Sequence, residues 1–149
     1  MINGDPVCID ASVAAKWVLA EEDSERALSL LKEAMAIGTR LIAPRHLLSE
    51  VTSAVYKQLR YGSIVFEEAV TALAGFSKIR LALLSPPGLP ICAVEIAVTA
   101  QMRYPYDAFY LALADIIDCE VWTADRRFYD ACSPFSERLR LLADYTATA

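Results

Sequence analysis

The stretch PVCIDAS, residues 6–12, contains a β-strand that ends on an aspartate and the start of a helix. Residues 7–10 form a short run rich in β-forming residues, and Ser12 can cap the helix that follows. Four further strands are predicted after helical segments, at residues 39–44, 80–86, 119–125 and 139–144. The predicted order is β-α-α-β-α-α-β-α-α-β-α-β. Such alternation favours a mainly parallel sheet covered by helices on both faces.

The length and composition predict one globular domain. The chain has 149 residues, of which 56% are hydrophobic and 22% charged, a composition typical of compact proteins. We therefore predict a single domain over residues 1–149, with residues 143–149 as a loose tail. No apolar run approaches the roughly 18 residues that a membrane span needs, so no membrane association is expected.

The cysteines indicate the redox compartment of the protein, and the net charge indicates which ligands it can bind. The chain has four cysteines, Cys8, Cys92, Cys119 and Cys132. No two of them lie close enough in sequence for a zinc or redox motif, so we expect them to be small buried side chains in a reduced, cytoplasmic protein. The net charge of -5 argues against a simple basic patch that binds nucleic acid. It is compatible with an acidic site that holds a divalent cation.

Two acids follow predicted strands. Asp10 ends the first strand, and Asp125 ends the strand that contains the sequence VWTA. If both strands are central and parallel, the two side chains lie at the sheet edge where sites form in α/β proteins. Each also has an ordinary explanation, because Asp10 can cap a turn and Asp125 can cap the helix that starts at Arg126.

Two further acids lie beside the apolar stripes of predicted helices. Glu50 borders the stripe of the helix HLLSEVTSAVYKQLRYG, and Asp107 precedes the apolar run AFYLALA. Glu50 can instead pair with Arg45 or Lys57 or point outward, and Asp107 can be a helix N-cap or first-turn acid. The four acids taken together favour a divalent-cation site, because converging carboxylates need a counterion and hard cations prefer oxygen ligands.

Other chemistries fit the sequence less well. The chain has one histidine, His46, so a Ser-His-Asp or Cys-His mechanism would depend on that residue alone. We interpret His46 as a helix-start or packing residue. Glycine-rich nucleotide-binding motifs are absent from the sequence.

Four segments resemble the signature segments of PIN domains, and most closely those of VapC-type toxins. They occur in the family's order and span nearly the whole chain: CIDASVAAKW, LLSEVTSAVYK, YDAFYLALA and WTADRRF. The resemblance implies a three-layer α/β/α fold and a ribonuclease that depends on Mg²⁺, for which Mn²⁺ can substitute.

The resemblance also implies roles for individual residues. The acidic quartet, which would be catalytic and bind metal, is Asp10, Glu50, Asp107 and Asp125. Ser12 would support the site and Thr123 would lie at its mouth. The implied partners are an RNA substrate, a second copy in a homodimer and a small cognate antitoxin.

Positive charges near the quartet are candidates for RNA contact. Arg126 and Arg127 directly follow Asp125, and Lys16 lies in the segment CIDASVAAKW that contains Asp10. Two alternatives to a ribonuclease remain open at this point. One is a non-catalytic protein-interaction module on the same fold, and the other is a metal-dependent DNA nuclease or phosphatase.

Overall fold

The computed structural model describes residues 1–148. Its strands are β1 Val7–Ile9, β2 Leu41–Pro44, β3 Ala82–Leu84, β4 Glu120–Thr123 and β5 Leu139–Leu141. Its helices are α1 Ala11–Ala14, α2 Ser24–Ile37, α3 Leu47–Arg60, α4 Phe66–Phe76, α5 Leu89–Thr99, α6 Ala108–Ile117 and α7 Arg126–Cys132. This order of strands and helices confirms the one predicted from the sequence.

The five strands form one parallel sheet in the order β3-β2-β1-β4-β5. The chain first builds outward from β1 through β2 to β3, and then returns to place β4 on the other side of β1. Because such crossovers are right-handed, this reversal puts helices on both faces of the sheet. The α/β fold with a parallel central sheet is therefore confirmed. The reversal also opens a crevice beyond the carboxyl ends of β1 and β4.

Helix α6 is the most deeply buried helix at this crevice. Every residue from 110 to 114 is fully buried, and the helix contacts β1, β2 and β4. The first two turns of α6, residues 108–114, are apolar on every side and are stable only inside a core. Each large side chain buried this way contributes about 1.5–3 kcal/mol. The packing fixes the first turn of α6, which directly follows Asp107.

The C-terminal segment packs on the sheet at Tyr145. Within residues 143–149, which the sequence predicts to be a loose tail, Tyr145 is buried and its ring meets Trp122 edge-on at 5.5 Å. The Tyr145 hydroxyl donates a hydrogen bond to Glu33. Ala149 lies outside the described residues.

Two further expectations concern the membrane and the cysteines. In the part of the chain that the structure describes, no helix has both the length and the apolar character needed to cross a membrane. All four cysteines are unpaired, and three of them are buried, as expected for small core residues.

Candidate functional site

The four predicted acids line one cleft at the crevice beyond β1 and β4. Asp10 directly follows β1 and is only 3% exposed, and Asp125 lies two residues after β4. The cleft has a volume of about 310 Å³. The rest of its lining comes from the segment after β1, from α3 and from the residue before α6. The predicted site residues that line it are Asp10, Ser12, Lys16, Glu50, Asp107 and Asp125.

Asp10 is held by two hydroxyl groups. Ser12 Oγ donates to Asp10 Oδ2 at 2.5 Å, and Thr123 Oγ1 donates to the same oxygen at 2.7 Å. Both hydroxyls also accept backbone hydrogen bonds, Ser12 from Ala124 N at 2.8 Å and Thr123 from Asp125 N at 3.0 Å. Thr123 is fully buried, so it lies beneath Asp10 and does not stand at the mouth as expected. These bonds tie the ends of β1 and β4 into one rigid unit.

Helix capping accounts for only one of the three aspartates. Asp125 Oδ1 accepts from Arg127 N at 2.8 Å and from Phe128 N at 3.3 Å, so it caps α7. Asp10 and Asp107 also occupy N-cap positions, but neither side chain makes a capping hydrogen bond. Their carboxylates face the cleft without the partner that the capping explanation requires.

Glu50 is held by a histidine and a tyrosine in place of the basic partners considered above. His46 Nε2 lies 2.8 Å from Glu50 Oε1, and the Tyr110 hydroxyl donates to the same oxygen at 3.1 Å. His46 occupies the N-cap position of α3 and packs edge-on against Phe109, as expected for a helix-start and packing residue. Its contact with Glu50 goes beyond that expectation.

The sequence contained a signal for one of these two contacts. His46 and Glu50 are four residues apart, which is the spacing of side chains that meet on one helical face. Tyr110 lies 60 residues from Glu50, and its apolar surroundings predicted only a packing role. Only the folded chain brings its hydroxyl to the acid.

Burial and neighbouring carboxylates raise the pKa values of Asp10 and Asp107. Burial raises the pKa of Asp10 to about 7, the charges of Asp107 and Glu50 add to this, and the two hydroxyl hydrogen bonds oppose it. Burial, followed by the charges of Glu50 and Asp125, raises the pKa of Asp107 to about 6. For His46, burial lowers the pKa, but the hydrogen bond and charge of Glu50 outweigh burial and raise it. The site is therefore electrostatically unfavourable when its acids are all ionised.

The donor set fits a hard divalent cation. Among residues 1–148, no three His, Cys, Asp or Glu side chains stand close enough together to enclose an ion. Mg²⁺ does not need such a cage, because it commonly binds through one or two carboxylates and retains several waters. A buried carboxyl with a raised pKa, facing a cleft with other carboxylates, is the environment in which a cation is most strongly favoured.

The basic candidates for RNA contact separate into two groups. Lys16 lines the cleft and pairs with Glu21 at 3.3 Å. Arg126 lies 4.0 Å from Asp130 on the surface of α7, and neither Arg126 nor Arg127 is among the residues that line the cleft. Asp130 is 62% exposed and belongs to this solvated surface.

The family model for the PIN domain matches residues 7–133. The chain belongs to the PIN-domain family. The matched range contains the four acids together with Ser12 and Thr123, and the expected family is confirmed. The sequence comparison with curated proteins finds no match.

Two solved structures have the same fold as this PIN domain. PAE2754 from Pyrobaculum aerophilum is 18% identical, with a TM-score of 0.68 over 93% of this chain and 90% of its own. VapC20 from Mycobacterium tuberculosis, a toxin that cleaves the sarcin–ricin loop, is 19% identical, with a TM-score of 0.60 over 85% of this chain and 95% of its own. At these identities the likeness establishes the fold alone.

Proposed function

We propose that this PIN domain is a metal-dependent endoribonuclease that acts in the cytoplasm as the toxin of a toxin–antitoxin pair. The observation that carries the proposal is the convergence of Asp10, Glu50, Asp107 and Asp125 on one cleft at the reversal of the sheet. Asp10 is too buried to be ionised there at low cost without a cation. The role of VapC20 as an RNA-cleaving toxin on the same fold supports the choice of substrate class.

Mg²⁺ is the proposed cofactor, and Mn²⁺ should substitute for it. Asp10, Asp107 and Asp125 are its proposed ligands, one or two of them bound directly and the rest through retained waters, and Glu50 binds it directly or through water. A divalent cation supplies a Lewis acid and charge neutralisation beside the scissile phosphate. Asp125 uses Oδ1 to cap α7, which orients its carboxyl group and leaves Oδ2 for the cleft.

The supporting residues keep the acids in place. The hydroxyls of Ser12 and Thr123 both donate to Asp10 Oδ2, so the remaining oxygen, Oδ1, has a fixed orientation. Fixing the donor atoms before the ligand binds reduces the cost of binding. Lys16, the basic candidate that lines the cleft, is the proposed contact for a phosphate of the RNA backbone, where a positive charge favours binding.

The proposed protein partners are a second copy of the chain and an antitoxin that covers the cleft. Helix α5 carries an exposed apolar stripe in which Ile91 is 69%, Val94 is 55% and Val98 is 72% exposed. Their spacing puts the three side chains on one helical face, and such a face favours association with another protein surface. We assign this stripe to the homodimer contact.

The test is RNA cleavage by the purified protein with Mg²⁺ or Mn²⁺. Asp10→Asn and Asp107→Asn should each abolish cleavage without changing the circular dichroism spectrum. Asp130→Asn is the matched control, because its side chain is 62% exposed on α7 and outside the cleft, and it should cleave normally.

The same assay separates the alternatives. Equal cleavage by wild type and both cleft variants would contradict the proposal. Cleavage of DNA or of small phosphate esters without cleavage of RNA would indicate a different nuclease or a phosphatase. Absence of any metal-dependent activity, with protein binding that survives both substitutions, would favour a non-catalytic interaction module.

A further inference from the structure

We propose that His46 and Tyr110 are positioning residues that orient Glu50 and fix it relative to the segment that carries Asp107. This inference rests on the function proposed above, because it assigns a role to two residues outside the acidic quartet. Packing explains the positions of the two rings but not the polar contacts that their nitrogen and oxygen atoms make. Their shared feature is a polar contact with the same carboxylate.

Both contacts go to one oxygen of Glu50. His46 Nε2 lies 2.8 Å from Oε1, and the Tyr110 hydroxyl donates to Oε1 at 3.1 Å. A carboxylate oxygen that accepts a hydrogen bond and also lies in close contact with an imidazole nitrogen has a fixed position. The second oxygen, Oε2, is therefore the one that Glu50 can present to the cleft.

His46 also joins Glu50 to the loop before Asp107. Its Nε2 lies 3.1 Å from the backbone oxygen of Tyr106 as well as beside Glu50. Both neighbours are hydrogen-bond acceptors, so Nε2 carries a hydrogen that the two oxygens share. The histidine thus links the start of α3 to the residue that precedes Asp107.

Tyr110 makes the same connection from the other side of Asp107. It lies in the first turn of α6 and is fully buried, with its ring 5.2 Å from the His46 ring. Glu50 is therefore linked to both sides of Asp107 in sequence, directly to Tyr110 and through His46 to Tyr106. Because the charge of Glu50 raises the pKa of Asp107, the two acids repel each other. The two contacts hold them at a fixed separation against that repulsion.

The direct test measures the affinity of the full chain for Mn²⁺ by titration calorimetry at constant pH. Tyr110→Phe, which removes only the hydroxyl, should weaken binding about 10-fold or more, as is typical when a partner of a metal ligand is lost. His46→Ala should have a similar effect. His46→Gln should recover most of the affinity, because its amide nitrogen can donate to Glu50.

Tyr145→Phe is the matched control. Tyr145 is also a buried tyrosine whose hydroxyl donates to a glutamate, but that glutamate is Glu33, which does not line the cleft. Removal of the Tyr145 hydroxyl should leave the affinity for Mn²⁺ unchanged. In a Glu50→Gln background, Tyr110→Phe should change the affinity less than about 2-fold, because a residue that acts through Glu50 has no independent effect.

The outcomes distinguish this inference from the proposed function. Suppose that wild type binds Mn²⁺ and that Asp10→Asn weakens this binding. If Tyr110→Phe and His46→Ala then bind Mn²⁺ as tightly as wild type, the inference is overturned and the proposed function stands. A Tyr110→Phe loss that persists in full in the Glu50→Gln background also overturns it. Wild type that binds no Mn²⁺ overturns both. If Tyr110→Phe does not fold, the comparison of His46→Ala with His46→Gln decides, because His46 is partly exposed.

Discussion

Replacing Asp10 by asparagine should stabilise the metal-free protein at pH 8. The pKa of Asp10 is raised from 3.8 to about 7 in the folded state. Between these values the folded protein binds more protons than the unfolded chain, so the free energy of unfolding falls as pH rises. Asparagine keeps the shape of the side chain and an oxygen that can accept from Ser12 and Thr123, but it does not ionise.

The magnitude follows from the two pKa values of Asp10. A carboxyl whose pKa rises from 3.8 to about 7 on folding loses about 4 kcal/mol of stability in all, of which about 3 kcal/mol falls between pH 5 and pH 8. For a chain of this size, that loss corresponds to a fall in Tm of roughly 6–12 °C. The raised pKa values of Asp107 and His46 act in the same direction. The pKa of Glu33 is lowered from 4.5, so the stability that it contributes is lost only as the pH falls below that value and does not change in the opposite sense between pH 5 and pH 8.

The assay is chemical denaturation in the presence of a chelator at pH 5 and pH 8. Wild type should lose about 3 kcal/mol or more between the two pH values, and Asp10→Asn should lose about 3 kcal/mol less than wild type. Asp130→Asn removes the same charge from an exposed position and should follow wild type. Mn²⁺ at pH 8 should restore wild-type stability but stabilise Asp10→Asn much less, because the variant lacks one of the ionised carboxylates that bind the cation. The reasoning is refuted if wild type and Asp10→Asn show the same pH dependence.

Three further predictions concern the support of the site and the dimer. Ser12→Ala removes a donor to Asp10 and the acceptor of Ala124 N, so denaturation with urea should show a loss of about 1–2 kcal/mol; unchanged stability would contradict this. Asp125→Ala should lose about 1 kcal/mol with the cap of α7, whereas Asp125→Asn should retain most of it, and neither should cleave RNA with Mn²⁺. Val98→Lys places a charge on the exposed stripe of α5, so sedimentation velocity should show a monomer where wild type is a dimer. A wild-type monomer would refute the assignment of the stripe.

The fold was predictable because its signals are local. Short β-rich runs that end before helical periodicity, as in residues 6–12, specify alternating strands and helices without knowledge of distant residues. The alternation then favours a parallel sheet, since parallel neighbours require a crossover. The strand order β3-β2-β1-β4-β5 was not predicted, because it depends on which buried faces pack together after the strands have formed.

The acids of the site were predictable for a related reason. Asp10 and Asp125 follow strands, and parallel strands place their carboxyl ends at one edge. Thr123 was selected as a residue at the mouth of the site, yet it is buried under Asp10. The sequence indicates how side chains alternate along β4, but it does not show that Thr123 lies beneath Asp10, the residue that follows β1.

The sequence by itself indicated the order of strands and helices, the PIN-domain family and the four acids that line the cleft, because these depend on local patterns and on motif order. The tertiary structure alone decided what surrounds each acid. Tyr110 reaches Glu50 across 60 residues, Thr123 reaches Asp10 across 113, and burial moves the pKa of Asp10 to about 7. Solvent exclusion and the approach of distant side chains are properties of the packed chain, so no local pattern contains them.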